Sequence, residues 1–101
     1  MNWLNVSFDS NQNYVVLEQA VNNALDIALK NYNMVRVVSN KVYFDENHSN
    51  VQIITQIKIK NKYQDKCFNL IKELSQELEE AIKRLIDKKP DNVEIVLKGF
   101  Y

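Results

Sequence analysis

Val51-Gln52-Ile53-Ile54-Thr55-Gln56-Ile57-Lys58-Ile59-Lys60 is the stretch on which the fold turns. Side chains alternate across a strand with a period of two, so Val51, Ile53, Thr55, Ile57 and Ile59 share one side of the pleat, and Gln52, Gln56, Lys58 and Lys60 share the other. One face is buried and one is wet. Downstream a helical pattern runs unbroken to Pro90, and a second β-branched run, Val93 to Leu97, follows it. A helix between two strands acts as a crossover, so these strands are expected to run parallel in one sheet through a right-handed connection.

Working outward, Val35 to Asp45 reads as a strand interrupted at Ser39 to Lys41. The polar loop Asp45 to Asn50 then returns the chain into Val51, making an antiparallel hairpin with a loose tip. Leu17, Val21, Ala24 and Ala28, joined by Leu25 and Leu29, recur at spacings of three and four, opposite Gln19, Asn22, Asn23, Asp26 and Lys30. This predicts an amphipathic helix from near Tyr14 to Asn31–Asn33, entered through Asp9 to Asn13, a stretch rich in capping residues. Before it, Trp3, Leu4, Val6 and Phe8 make a short apolar start suited to an edge strand.

The second helix is expected from about Tyr63 to Lys89, about 40 Å long at 1.5 Å per residue. Asn61 and Gln64 have capping-box spacing, and Cys67, Ile71, Leu74, Leu78, Ala81, Ile82, Leu85 and Ile86 form one apolar stripe. Glu79 with Lys83 and Glu80 with Arg84 stand at i,i+4 on the outer face, while Lys83, Arg84, Lys88 and Lys89 crowd the end where the helix dipole favours cations. The stripe approximates a coiled-coil heptad, but Ile82 and Ile86 widen it beyond a strict seam, which suits packing on a sheet. The expectation is a single α+β domain over residues 1–101, in the order α-β-β-α-β. Two helices cover one face of a small mixed three-stranded sheet, with the N-terminal segment as an optional edge strand.

The chain has 101 residues, 46% of them hydrophobic and 26% charged, enough for one modest core. Thirteen basic residues balance thirteen acidic ones, so no global field steers it onto nucleic acid or an anionic membrane. Gly99 is the only glycine and Pro90 the only proline, which excludes the glycine-rich loops that cradle phosphates. The lone Cys67 has no internal disulfide partner, and no run suits a signal peptide or membrane span, so a cytoplasmic location is the expectation. Heavy use of asparagine, lysine and isoleucine, with arginine only at Arg36 and Arg84, points to an AT-rich, low-GC bacterial source.

Chemistry-bearing residues are few. His48 stands in the hairpin tip beside Asp45 and Glu46 and reads as a solvated loop residue, since a metal or acid/base site needs converging partners. Cys67 lies on an apolar stripe, where cysteine behaves as a small hydrophobe. Glu73, Glu77, Glu79 and Glu80 read as a solvated helix face compensated by lysines. No catalytic, metal or cofactor residues are assigned.

The outer sheet face is the candidate surface. If Ile53, Ile57 and Ile95 face the helices, then Gln52, Ile54, Gln56, Lys58, Glu94, Val96, Lys98 and Phe100 face away. Ile54, Val96 and Phe100 would be apolar anchors of a protein interface, with Gln56, Lys58 and Lys98 as a polar surround. The alternative is that Trp3 to Phe8 covers this face, or that its apolar residues are ordinary scattered surface.

From Val42 to Tyr101 the chain resembles the alkaline-shock-protein family, small envelope stress response proteins of Gram-positive bacteria. The matching pieces are Val42-Tyr43-Phe44 with Val51 to Ile59, the helix from Tyr63, and the ending Val93-Glu94-Ile95-Val96-Leu97-Lys98-Gly99-Phe100. Val6-Ser7-Phe8 followed by Val15, Val16 and Ala20 resembles that family's opening strand and first helix. The chain lacks the glycine-containing insertion that many members carry after the first helix, having only Asn31 to Met34 there. The resemblance implies a non-enzymatic cytosolic protein that acts by protein contact. It further implies a membrane-anchored protein partner or self-association as a homo-oligomer, without cofactor, nucleic acid or direct membrane insertion. The runner-up, an RNA-binding domain of type II K-homology topology, shares the order of elements but needs a Gly-x-x-Gly loop and excess positive charge. A small enzyme would need clustered titratable groups in a pocket.

Overall fold

The computed structural model describes residues 3–9 and 12–101. Its elements are β1 (Trp3–Asp9), β2 (Gln12–Leu17), α1 (Glu18–Leu29), β3 (Val35–Phe44), β4 (Val51–Ile59), a 3-10 segment (Asn61–Lys66), α2 (Cys67–Ile86) and β5 (Asn92–Phe100). The main sheet has the order β3-β4-β5, with β4 antiparallel to β3 and parallel to β5. The α+β class and the mixed three-stranded sheet are as the sequence leads one to expect.

The alternation of β4 sets the layers. Val51, Ile53, Thr55, Ile57 and Ile59 are fully buried, and they pack with Val21, Leu25 and Leu29 of α1 and with Leu70, Leu74, Leu78, Ile82 and Ile86 of α2. A central strand is flanked on both sides, so its inward side chains have no lateral route to water. On the two edge strands Val35, Val42, Val93, Ile95 and Leu97 point to the same core but stay half-buried. Thr55 is the one polar side chain buried among the described residues, and its hydroxyl donates to Asn40 Oδ1 at 2.7 Å, which satisfies it as burial requires.

Four boundaries differ from expectation. The first helix starts at Glu18 rather than near Tyr14 and ends at Leu29, because Tyr14, Val15 and Val16 belong to β2. Aromatic and β-branched residues suit a pleated surface, and here the strand is fixed by antiparallel pairing with β1, Leu4 opposite Val16 and Val6 opposite Tyr14. Trp3–Asp9 is therefore half of a separate two-stranded sheet and not an edge of the main one. Leu4, Val6 and Val16 are buried in the common core, whereas Leu17, expected on the helix stripe, is 59% exposed at the end of β2. Of the expected capping stretch, Ser10 and Asn11 lie outside the described residues.

The long helix is shorter than its pattern. Residues Asn61–Lys66 are 3-10, and no side chain caps this segment or α2. The Asn61 capping box is not made; the Asn61 N–H donates to Tyr101 O at 2.7 Å, while the Tyr101 N–H donates to Ile59 O at 3.0 Å. At the other end Asp87 takes a left-handed φ of 60°, and its N–H closes on Lys83 O at 2.9 Å, a carbonyl-satisfying stop that precedes Pro90. The 20 residues of α2 span about 30 Å. Leu70 joins its buried stripe, and Glu79, expected to pair with Lys83, reaches Lys89 at 3.6 Å.

Candidate functional site: the outer sheet face

Cross-strand partners share a face, so the register defines the surface opposite the helices. Its rows are Arg36–Lys58–Gly99, Ser39–Gln56–Val96, Lys41–Ile54–Glu94 and Tyr43–Gln52–Asn92. Ile54, Gln56, Lys58 and Val96 are half-buried, and Ser39 Oγ donates to Gln56 Oε1 at 3.2 Å, bracing the middle row. The Arg36 guanidinium lies 4.3 Å from the centroid of the Tyr101 ring, a cation–π contact that holds one cation over this end of the sheet.

Two bulges decide who belongs to the face. In β3 the register shifts between Val37 and Ser39, ahead of the interruption expected at Ser39 to Lys41, where the strand instead runs on in regular pairing with β4. In β5 it shifts after Leu97: Leu97 opposes Ile57, Gly99 opposes Lys58 and Phe100 opposes Ile59. A one-residue slip moves every later side chain to the other face. Phe100, expected outside with Ile54 and Val96, therefore stands on the helix side and packs against the core. Lys98 is the extra residue of the bulge and is exposed. Gly99 has φ of 155°, a conformation that side-chain-bearing residues rarely adopt, so the chain's single glycine falls where the bulge requires one.

The remaining predicted site residues hold together as a set. Ile54 and Val96 occupy adjacent rows beside Gln56, with Lys58 one row beyond. Sequence reasoning missed Arg36, Lys41, Tyr43 and Tyr101, which only the pairing register and the chain end bring to the same surface. The outcome is a local excess of cations within a neutral chain. Arg36, Lys41, Lys58 and Lys98 accompany the single carboxylate Glu94 there, while on α2 the exposed Glu73, Glu77 and Glu80 are balanced by Lys72, Lys83 and Arg84.

The N-terminal hairpin docks elsewhere. The Asn5 N–H donates to His48 O at 2.8 Å, and the Trp3 and His48 rings stack 3.8 Å apart with planes 2° from parallel. His48 Nδ1 is 2.9 Å from Trp3 O, so this nitrogen is the donor and the tautomer is fixed by the carbonyl. The Tyr14 hydroxyl donates to Leu85 O at 2.6 Å. These attachments run to the β3–β4 turn and the end of α2, and none crosses the outer face.

His48 is thus half-buried and structural, where the sequence suggests a solvated residue. Its turn is well bonded, too. Asp45 accepts from the Ser49 N–H and Oγ, both at 2.7 Å, and these bonds hold its carboxyl below the usual carboxylate range. Asn50 Oδ1 accepts from the N–H groups of Val51 at 2.7 Å and Asp91 at 3.1 Å, tying the turn to the start of β5.

Elsewhere the chemistry is sparse. Cys67 opens α2, half-buried against the core. Tyr32 donates to Glu73 Oε1 at 3.4 Å; burial chiefly, then the charges of Glu73 and Glu77, raise its pKa. A groove of about 310 Å³ between the helices is lined by Ala24, Ile27, Ala28, Ala81, Arg84 and Leu85, with small side chains letting α1 and α2 approach. Among the described residues no three His, Cys, Asp or Glu converge as a metal site, and no helix is long and apolar enough to cross a membrane. Comparison of the chain with protein-family models, curated proteins and solved structures gives no match.

Proposed function

We propose that the chain is a non-enzymatic binding protein of the alkaline shock, envelope stress response type, working by contact between its outer sheet face and an acidic surface of a protein partner. The observation that carries this is the composition of the face: an apolar centre of Ile54 and Val96, braced by Ser39 and Gln56, within a surround of Arg36, Lys41, Lys58 and Lys98. An apolar centre supplies area to bury, and a charged rim supplies orientation and rate of encounter. A cytoplasmic location, with attachment to the membrane through an anchored partner, is part of the same proposal.

Ile54→Lys combined with Lys58→Glu tests it, because both positions lie on β4 and point away from the helices. Circular dichroism should show an intact fold, while capture of partners from native lysate, with membrane fractions assayed separately, should be lost. Capture undiminished in a folded variant would remove this face from consideration.

A second reading has one observation in its favour. Tyr43 stands with the cations on one sheet face, and Tyr101 lies beneath Arg36; aromatic rings beside basic groups are what single-stranded RNA binds. The absence of any Gly-x-x-Gly segment weighs against it.

A further inference from the structure

β5 is an edge strand of the main sheet, so among the described residues one side of its backbone has no strand partner. Its core-facing residues Val93, Ile95 and Leu97 are only half-buried, although their neighbours Ile53 and Ile57 on β4 are fully so. Such an edge is a template for another strand. What the strand carries identifies that partner.

Glu94-Ile95-Val96-Leu97-Lys98 is self-complementary when laid antiparallel on itself about Val96. Glu94 of one copy then opposes Lys98 of the other, twice, and Val96 meets Val96 on the outer face. Ile95 meets Leu97 on the core face. The free strand at the other edge lacks this property. β3 carries Arg36 and Lys41 as its only charges, so no antiparallel alignment of two copies gives an opposite-charge pair. The bulge at Lys98 twists the far end of β5 away, which limits pairing to the short segment that bears the pattern.

We infer that two copies of this chain associate through their β5 edges, antiparallel and centred on Val96, forming one six-stranded sheet across a two-fold axis. This rests on sheet topology and the β5 sequence, and not on the outer-face reading. The pairing would complete the burial of Ile95 and Leu97 and join the two outer faces into one surface, as an isologous interface does.

The experiment is sedimentation equilibrium of the purified chain and its charge variants, with circular dichroism as the control for folding. The parent should be dimeric at micromolar concentration. Glu94→Lys alone places Lys against Lys, and Lys98→Glu alone places Glu against Glu. Each should weaken self-association by about tenfold or more, since like charges directly opposite are destabilising. Mixing the two single variants restores both opposite-charge pairs, so the mixture should dimerise where neither variant does alone. A monomeric parent, or a mixture no more dimeric than its components, would overturn the inference. Because this readout uses the purified chain alone, partner capture can fail while the dimer stands, and the reverse.

Discussion

Asp45 shows how much one side chain can organise. Its carboxylate takes both the N–H and the hydroxyl of Ser49, closing the turn in which His48 holds a positive φ of 54° and meets Trp3. These bonds favour the ionised form, so the folded-state pKa is lowered and the unfolded chain binds protons more readily. The resulting stabilisation is present above the unfolded carboxylate value, near pH 4, and is lost as pH falls through the folded one. Urea midpoints measured across acid pH should therefore decline less steeply for Asp45→Ala than for the parent. An identical acid limb would show that this carboxylate does not stabilise the fold.

At the scale of elements, α2 carries much of the core, and the N-terminal hairpin adds Leu4, Val6 and Val16 to it. Leu78 is fully buried against the sheet, so Leu78→Asp puts an unpartnered carboxylate into it and should unfold a domain whose total stability is about 5–15 kcal/mol. Glu79→Ala loses only an exposed pair with Lys89 at 3.6 Å and should shift stability by less than about 1 kcal/mol. Thermal melts separate the two outcomes, and equal melting temperatures would contradict the packing of α2. The hairpin calls for a local probe. His48→Ala removes the stack on Trp3 and the bond to its carbonyl, so amides in β1 and β2 should exchange faster while those of α2 keep their protection. Uniform acceleration throughout the chain would mean that the hairpin and the main sheet open as one unit.

The whole molecule is neutral in sum and uneven in arrangement. Zero formal charge removes long-range steering, yet the outer sheet face gathers Arg36, Lys41, Lys58 and Lys98 around one carboxylate, Glu94, while the exposed charges of α2 balance. Such a surface can attract anions at short range, and salt screens it within about 10 Å at 0.1 M. Single-stranded RNA should accordingly bind weakly at low salt and not measurably at physiological salt, because few phosphates are neutralised. Fluorescence anisotropy with a labelled oligonucleotide checks this, and sub-micromolar affinity at physiological salt would put the RNA reading first.

The layer architecture was legible in the sequence because it depends on local periodicity. The alternation of Val51 to Lys60 selects one buried face, the stripe of α2 supplies its cover, and a strand, helix, strand order calls for parallel pairing. Tertiary structure decided whatever depends on partners distant in sequence. Tyr14 to Leu17 is strand because Trp3–Asp9 lies beside it, and His48 is structural because Trp3, 45 residues away, reaches its ring. Phe100 turned inward because a bulge at Lys98 shifted its register by one, and Arg36, Lys41 and Tyr43 joined the candidate surface through their pairing with β4. A sequence pattern records which side of an element seeks the core; register, bulges and chain-end contacts are settled only when the elements meet.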